Sequence, residues 1–323
     1  MAFVLDTRTA PAWAIAHGLV PADTRILAEE LEGGVSASVI ALRAPETGQA
    51  IVVKQALPRL RVQDEWLATQ ERAETEANAM RLCAELSPGA VPRVLATDPD
   101  EHVLAMELID GCSNWQAEVA VGNVHAELGS WAGMTLGTWH ATSTGRPDVV
   151  ARYGDLTAFE QLRLRPFHET VMRRLPDLAS AIAPRVDDLR DRRRCLVHGD
   201  YALKNMLVGT SGPWVLDFEV AHFGNPVFDL GFFLSFVVLS AIRWEPLATE
   251  LEGLADGFLA GYEATAGPGF AGSPADLVAH TGCLVLARTD GTSPAQFLDA
   301  PSRERARARG RALLLEPERG LWR

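Results

Sequence analysis

Asp200 and Asn205 stand five residues apart in the stretch LVHGDYALKNMLVG, residues 196–209, and Asp217 ends the short apolar segment PWVLDF shortly beyond. A hairpin-like turn between them would bring Asp217 beside Asn205 and Asp200. Two carboxylates and an amide oxygen form the hard-oxygen set that suits Mg²⁺, which keeps waters and completes its shell with substrate phosphates. A cation held this way neutralises charge on β- and γ-phosphates while a positioned carboxylate accepts the proton of an attacking hydroxyl, which is the chemistry of phosphoryl transfer. Asp and Asn are also turn formers, so a polar turn between two strands accounts for them with no chemistry at all. The rest of the chain has to decide.

Upstream, Lys54 closes the apolar run AIVVK, and about 20 residues later comes the glutamate-rich stretch ETEANAMRL. A lysine at a strand end is usually a solvated charge. One preceded by four apolar residues can instead be oriented by an ion pair towards nucleotide phosphates. Glu76 is the preferred partner, because Ala77, Met80 and Leu82 around it read as a buried side; Glu71 and Glu74 are alternatives on the same helix. Before Lys54 lies GGVSAS, residues 33–38, whose small residues, Gly34 and Ser36 among them, would let backbone N–H groups approach phosphates.

Elements of two kinds must position these groups. The segment RILAEELEGGVSASVIALRAPETGQAIVVKQA reads as three antiparallel strands, the third ending at Lys54, with breaks at the glycine pair and at PETGQ. Residues 63–86 have helical periodicity and strong helix formers, stopped by Pro88 and Gly89. Two further short strands surround the turn at Asp98-Pro99-Asp100. From about residue 113 the pattern becomes helical, with long amphipathic stretches. The largely apolar run from Leu230 to Ile242 is 13 residues long, bounded by Asp229 and Arg243, too short to span a bilayer and expected as a buried helix. TAGPGFAGSPAD (265–276) and ARTDGTSPAQF (287–297) read as loops, and RERARARGRALL as a solvated basic helix face.

Taken together these residues resemble the protein-kinase-like superfamily, and within it the aminoglycoside phosphotransferase and choline kinase family. The resemblance rests on Lys54, Glu76, AMELIDG at 105–111, HGDYALKN at 198–205, LDFE at 216–219 and GNPVFDLGFF at 224–233, and runs from about residue 25 to 265. It implies an α+β, bilobal protein-kinase-like fold. The N-terminal nucleotide-binding lobe, 1–110, would be a small antiparallel sheet plus one helix. The C-terminal catalytic and acceptor-binding lobe, 111–323, would be larger and mainly helical.

The resemblance also assigns roles. Asp200 would be the catalytic base or acceptor-orienting carboxylate, and Asn205 and Asp217 would hold Mg²⁺. Lys54, paired to Glu76, would contact the α- and β-phosphates of ATP, with GTP as the alternative nucleotide. Met106 would sit behind the adenine, while the carbonyl of Glu107 and the N–H of Ile109 would bond its edge. His198 would support the catalytic loop, Asp229 would hold its backbone, and His140 would pack. Tyr201 and Lys204 stay open between loop packing and substrate contact. Two departures matter: the glycine loop is not GxGxxG, and Asp217-Phe218-Glu219 replaces Asp-Phe-Gly. An Asp-x-Glu is similar to methylthioribose kinase, so Glu219 could be a further metal ligand or a substrate contact. A methylthioribose-like sugar kinase is therefore one alternative, and a catalytically inactive nucleotide-binding scaffold is another of a different class. A protein kinase is disfavoured, because Gly199 replaces arginine before the catalytic aspartate and only eleven residues separate Asp217 from Asp229.

Composition sets outer bounds. The net charge of −12 disfavours a nucleic-acid partner and weakly favours a cationic small molecule. Acids at Glu245, Glu250, Glu252 and Asp256 would either meet such an acceptor or form a solvated helix face. Arg288 and Asp290 are candidates for the acceptor pocket. The four cysteines have no CxxC spacing and suit a reducing, cytoplasmic compartment. The N-terminus, with an acid at position 6, does not read as a signal peptide. The expected partner is a small-molecule hydroxyl acceptor, with no membrane and no oligomeric state implied.

Overall fold

The computed structural model describes residues 3–31, 35–61, 66–210 and 212–322. The chain divides into two compact units, Met1–Gly111 and Cys112–Arg323.

The N-terminal unit is built on an antiparallel sheet of β1 (Leu27–Glu30), β2 (Ala37–Ala44), β3 (Gln49–Ala56), β4 (Val94–Asp98) and β5 (Val103–Glu107), in the order β1-β2-β3-β5-β4. Apolar side chains at Ile40, Leu42, Ile51, Val53, Val103 and Ala105 form its inner face. A short helix that the sequence reading did not anticipate, α1 (Ala10–Ala16), closes this core with Trp13. Strand β3 runs two residues past Lys54, which therefore lies inside the strand, opposite Val39 on one side and Leu104 on the other.

The helix expected over 63–86 is shorter: α2 is Arg72–Leu86. Residues 66–68 are extended because their backbone pairs with the chain before them. Leu60 N–H donates to Trp66 O at 2.9 Å and Ala68 N–H to Pro58 O at 3.2 Å, and those bonds displace the i→i−4 ladder a helix needs.

The C-terminal unit is mainly helical. Its strands are short: β6 (Cys112–Asn114), β7 (Cys195–Val197), β8 (Met206–Gly209), β9 (Trp214–Val215) and β10 (His222–Gly224), paired as β6-β8-β9 and β10-β7. The apolar run becomes the helix Val227–Arg243, buried at every residue from Val227 to Ala241, as expected of a helix apolar all round. No described helix is long and apolar enough to cross a membrane. The helix Leu128–Ser143 packs closely on the helix Ala248–Ala266, with Gly129, Gly133 and Gly137 at the contact.

The loop expected from 287 starts later. Ala287 to Asp290 form the last turn of the helix Pro274–Asp290, and Gly291 ends it. Glu250, Glu252 and Asp256 are exposed along the helix Ala248–Ala266 and read as its solvated face.

Candidate active site

In the N-terminal unit the structure brings Lys54 and Glu76 together. Lys54 Nζ stands 2.8 Å from Glu76 Oε1, with both side chains buried. The strand aims the lysine inward and α2 presents the glutamate from its buried side. Such a pair orients an ammonium at the cost of desolvating two charges, which makes it weak evidence for stability and better evidence for a role. Gly34 lies outside the described residues. Ser36 stands just before β2, and its carbonyl accepts from Leu57 N–H and from the guanidinium of Arg72. Arg72, 1% exposed, also reaches the carbonyls of Leu57 and Thr69, so it ties the backbone just before β2 to the start of α2. Met106 is buried in β5, Glu107 ends that strand, and Ile109 lies two residues beyond.

In the C-terminal unit the stretch 198–217 forms one tight assembly. β8 and β9 pair antiparallel, Met206 opposite Val215, and Leu216 N–H donates to Asn205 O at 2.9 Å. This hairpin carries Asp217 back alongside Asn205. Asp217 has a left-handed backbone, φ +69°. That conformation is uncommon for a residue with a side chain, and such outliers cluster at functional sites.

Asp200 is 2% exposed and its carboxylate is fully engaged. Oδ1 meets Arg163 Nη2 at 2.9 Å; Oδ2 meets Lys204 Nζ and Asn205 Nδ2, the latter at 2.5 Å. Burial alone would raise its pKa, but the charges of Arg163 and Lys204 outweigh burial and hold the carboxyl well below the usual range. Asn205 Nδ2 also donates to Asp200 O at 2.9 Å. With its nitrogen turned to Asp200, Asn205 presents its carbonyl oxygen to the opposite side.

The loop backbone is fixed from below. Asp229, 0% exposed, accepts from His198 N–H at 2.7 Å and Gly199 N–H at 2.8 Å, and meets His140 Nε2 at 3.2 Å. His140 Nδ1 in turn lies 3.0 Å from the Tyr262 hydroxyl. His198 is kept neutral by burial; its Nδ1 accepts from Asp200 N–H at 3.1 Å while Nε2 faces Leu216 O at 3.2 Å. Tyr201 is buried and its hydroxyl donates to Ala132 O at 2.7 Å, a packing role. Lys204 lies on the Asp200 carboxylate.

Sequence reasoning missed Arg163. It projects from the π-helical segment Glu160–Glu169, and its Nε donates to Gly199 O at 2.7 Å. The segment contains Pro166, and π turns inside helices are frequent at functional sites. An arginine between the leucines of an amphipathic stretch gives no periodic signal that would have marked it.

The donor chemistry of Asn205 and Asp217 fits a partial ligand set for Mg²⁺. Among the described residues no group of three or more His, Cys, Asp and Glu side chains is placed to hold a metal. One carboxylate and one amide oxygen suit an ion that keeps waters and shares phosphate oxygens. Glu219, two residues on, is buried at 5% exposure.

The sequence profile of the phosphotransferase enzyme family matches residues 28–269. The chain belongs to that family. Among the family's relatives, it is 26% identical over 243 residues to a methylthioribose kinase of Pectobacterium atrosepticum, covering 66% of this chain and 60% of that protein. It is 27% identical over 339 residues to a methylthioribose kinase of Geobacillus kaustophilus, covering 90% of this chain and 85% of that one. A choline/ethanolamine kinase family protein from Mesorhizobium loti has a similar solved structure, with a TM-score of 0.53, 20% identity and 96% coverage of both chains. The fold of this family member is thus protein-kinase-like, with the antiparallel sheet in the N-terminal unit and helices dominating the C-terminal one.

Proposed function

We propose that this phosphotransferase moves the γ-phosphate of ATP to a hydroxyl of a small molecule, with Mg²⁺, in the cytoplasm. The observation that carries the reading is the Asp200 carboxylate: buried, held ionised by Arg163 and Lys204, and set on a backbone fixed by Asp229. In the reaction the acceptor oxygen bonds to the γ-phosphorus as the bond from that phosphorus to the β–γ bridging oxygen breaks. The electron pair leaves with ADP, and the hydroxyl proton passes to Asp200. A carboxylate with so low a pKa is a poor base for an early proton abstraction. It suits the loose transition state of phosphoryl transfer, where orienting the hydroxyl matters most and the proton moves late.

The other residues hold and neutralise. Lys54, kept in place by Glu76, would bind the α- and β-phosphates, and Ser36 with the glycine turn would offer backbone N–H groups. Met106 would pack on the base, with Glu107 O and Ile109 N–H at its edge. Asn205 and Asp217 would hold Mg²⁺, which neutralises phosphate charge when bound. Substituting Asp200→Asn tests the reading: kcat should fall by about 10²–10⁴-fold while the affinity for MgATP stays. Near-normal turnover in that variant would sink the mechanism.

A further inference from the structure

The Asp200 carboxylate is held by cations. Arg163 and Lys204 are both bonded to it. A third cation, Arg288, stands beside them with no ion-pair partner among the described residues. Its guanidinium carbon lies 5.9 Å from the Phe167 ring centre and 5.4 Å from that of Phe236, and the Arg163 guanidinium lies 5.4 Å from the same Phe167 centre. One aromatic ring therefore carries both arginines.

Arg288 is poorly served by the protein. Its Nε is shielded from solvent and has no hydrogen-bond partner among the described residues, and Nη1 reaches Ser293 Oγ only at 3.4 Å. Asp290, two residues on, is taken by Arg307 at 2.8–3.0 Å and by the Thr289 hydroxyl. Desolvation pushes Arg288 down to about 10, with Arg163 adding to it and Asp200 opposing. A desolvated guanidinium without a counter-ion is costly, and the aromatic faces compensate only part of that cost. Arg288 as a whole residue is half-buried.

We propose that Arg288, with Arg163 behind it, forms an acceptor subsite for a carboxylate or phosphate group, so that the molecule phosphorylated here is an anionic alcohol. The planar fork of a guanidinium takes either group through two parallel hydrogen bonds. The subsite lies next to the carboxylate that orients the attacking hydroxyl, which is where an acceptor must be gripped. The inference rests on the kinase reading and narrows it: a guanidinium with no ion-pair partner among the described residues favours an anionic acceptor over amino alcohols and amino sugars.

The transferred phosphate is also an anion near Asp200, so the test fills its position first. Inorganic phosphate, D-glycerate and choline are titrated by calorimetry into protein saturated with Mg²⁺ and a non-hydrolysable ATP analogue. Saturable binding of phosphate or D-glycerate, with none of choline, is expected. Arg288→Met should weaken it about 10- to 100-fold, the worth of a charged hydrogen bond or two, and Arg288→Lys less. Melting curves of both variants check folding. Absence of anion binding, preference for choline, or unchanged affinity in Arg288→Met each overturns the subsite. If the ATP analogue itself does not bind, the kinase reading fails instead, and the anion titration is run on the protein alone.

Discussion

Arg163 Nη2 stands 2.9 Å from Asp200 Oδ1 while Nε of the same guanidinium donates to Gly199 O at 2.7 Å. One buried side chain thus fixes both the carboxylate and the peptide that leads into it. A rigid first contact of this kind matters because small misplacements of a reacting group are costly in rate.

Replacing that arginine is the direct probe. Arg163→Met leaves Gly199 O and Asp200 Oδ1 without their shared donor, so kcat should fall about 10- to 100-fold, with KM for ATP little changed. Arg163→Lys should recover only part, since a point ammonium cannot span both acceptors. Steady-state kinetics at saturating acceptor decide it. An Arg163→Met protein with wild-type kcat would mean that the contact plays no part in positioning.

The Lys54–Glu76 pair predicts an asymmetry. Lys54→Met leaves Glu76 buried, at 2% exposure, without its ammonium partner. Removing one partner of a buried pair costs about 3–5 kcal/mol, and the nucleotide contact goes as well. The double variant Lys54→Met/Glu76→Gln should recover much of the stability but none of the ATP affinity. Chemical denaturation read beside nucleotide titration separates the two effects, and a double variant that binds ATP as wild type does would remove Lys54 from the nucleotide site.

Much of this arrangement was legible in the chain because the signals are local. Alternation of β-branched and polar residues marks β2 and β3, and the glycine-containing turn before PWVLDF marks the β8–β9 hairpin that returns Asp217 to Asn205. What was illegible depends on partners distant in sequence. Residues 66–68 have helix formers around them, yet pairing with residues 58–60 makes them extended. Arg163 sits 36 residues before Gly199, in an amphipathic stretch that gives no sign of the loop it will meet. The sequence groups Arg288 with Asp290 in one loop; the place of Arg288 in the final helical turn, with Asp290 bound to Arg307, separates the two side chains.

The packing of the helix Leu128–Ser143 against Ala248–Ala266 makes a structural prediction. A Cβ at Gly133 would stand 1.9 Å from Phe258 O and 2.7 Å from Tyr262 N. Those are backbone atoms and cannot rotate aside, so the helices must separate. Gly133→Ala should cost about 3 kcal/mol and lower the melting temperature by roughly 6–12 °C. Gly253→Ala, on the exposed side of the second helix with nothing within 4 Å, should instead gain about 0.5–1 kcal/mol from helix propensity. Equal melting temperatures for the two variants would refute the close approach.

Acid sensitivity should trace in part to His168. It is buried at 1% exposure, neither ring nitrogen has a hydrogen-bond partner among the described residues, and burial pushes its pKa down to about 3. The unfolded chain's histidine titrates near 6.5. Above that pH both states are neutral and His168 adds no slope. As the pH falls below 6.5 the unfolded state takes up a proton that the folded state refuses, so stability declines by about 1.4 kcal/mol per pH unit until the folded value is reached. His222, pushed down by burial to about 4, adds a second such decline. Replacing His168→Leu removes the first and keeps the second. Between pH 6.5 and 4.5 the wild-type protein should therefore lose about 2–3 kcal/mol more than the variant. Urea denaturation at several pH values measures the difference, and parallel losses in the two proteins would show that His168 is protonated in the folded state.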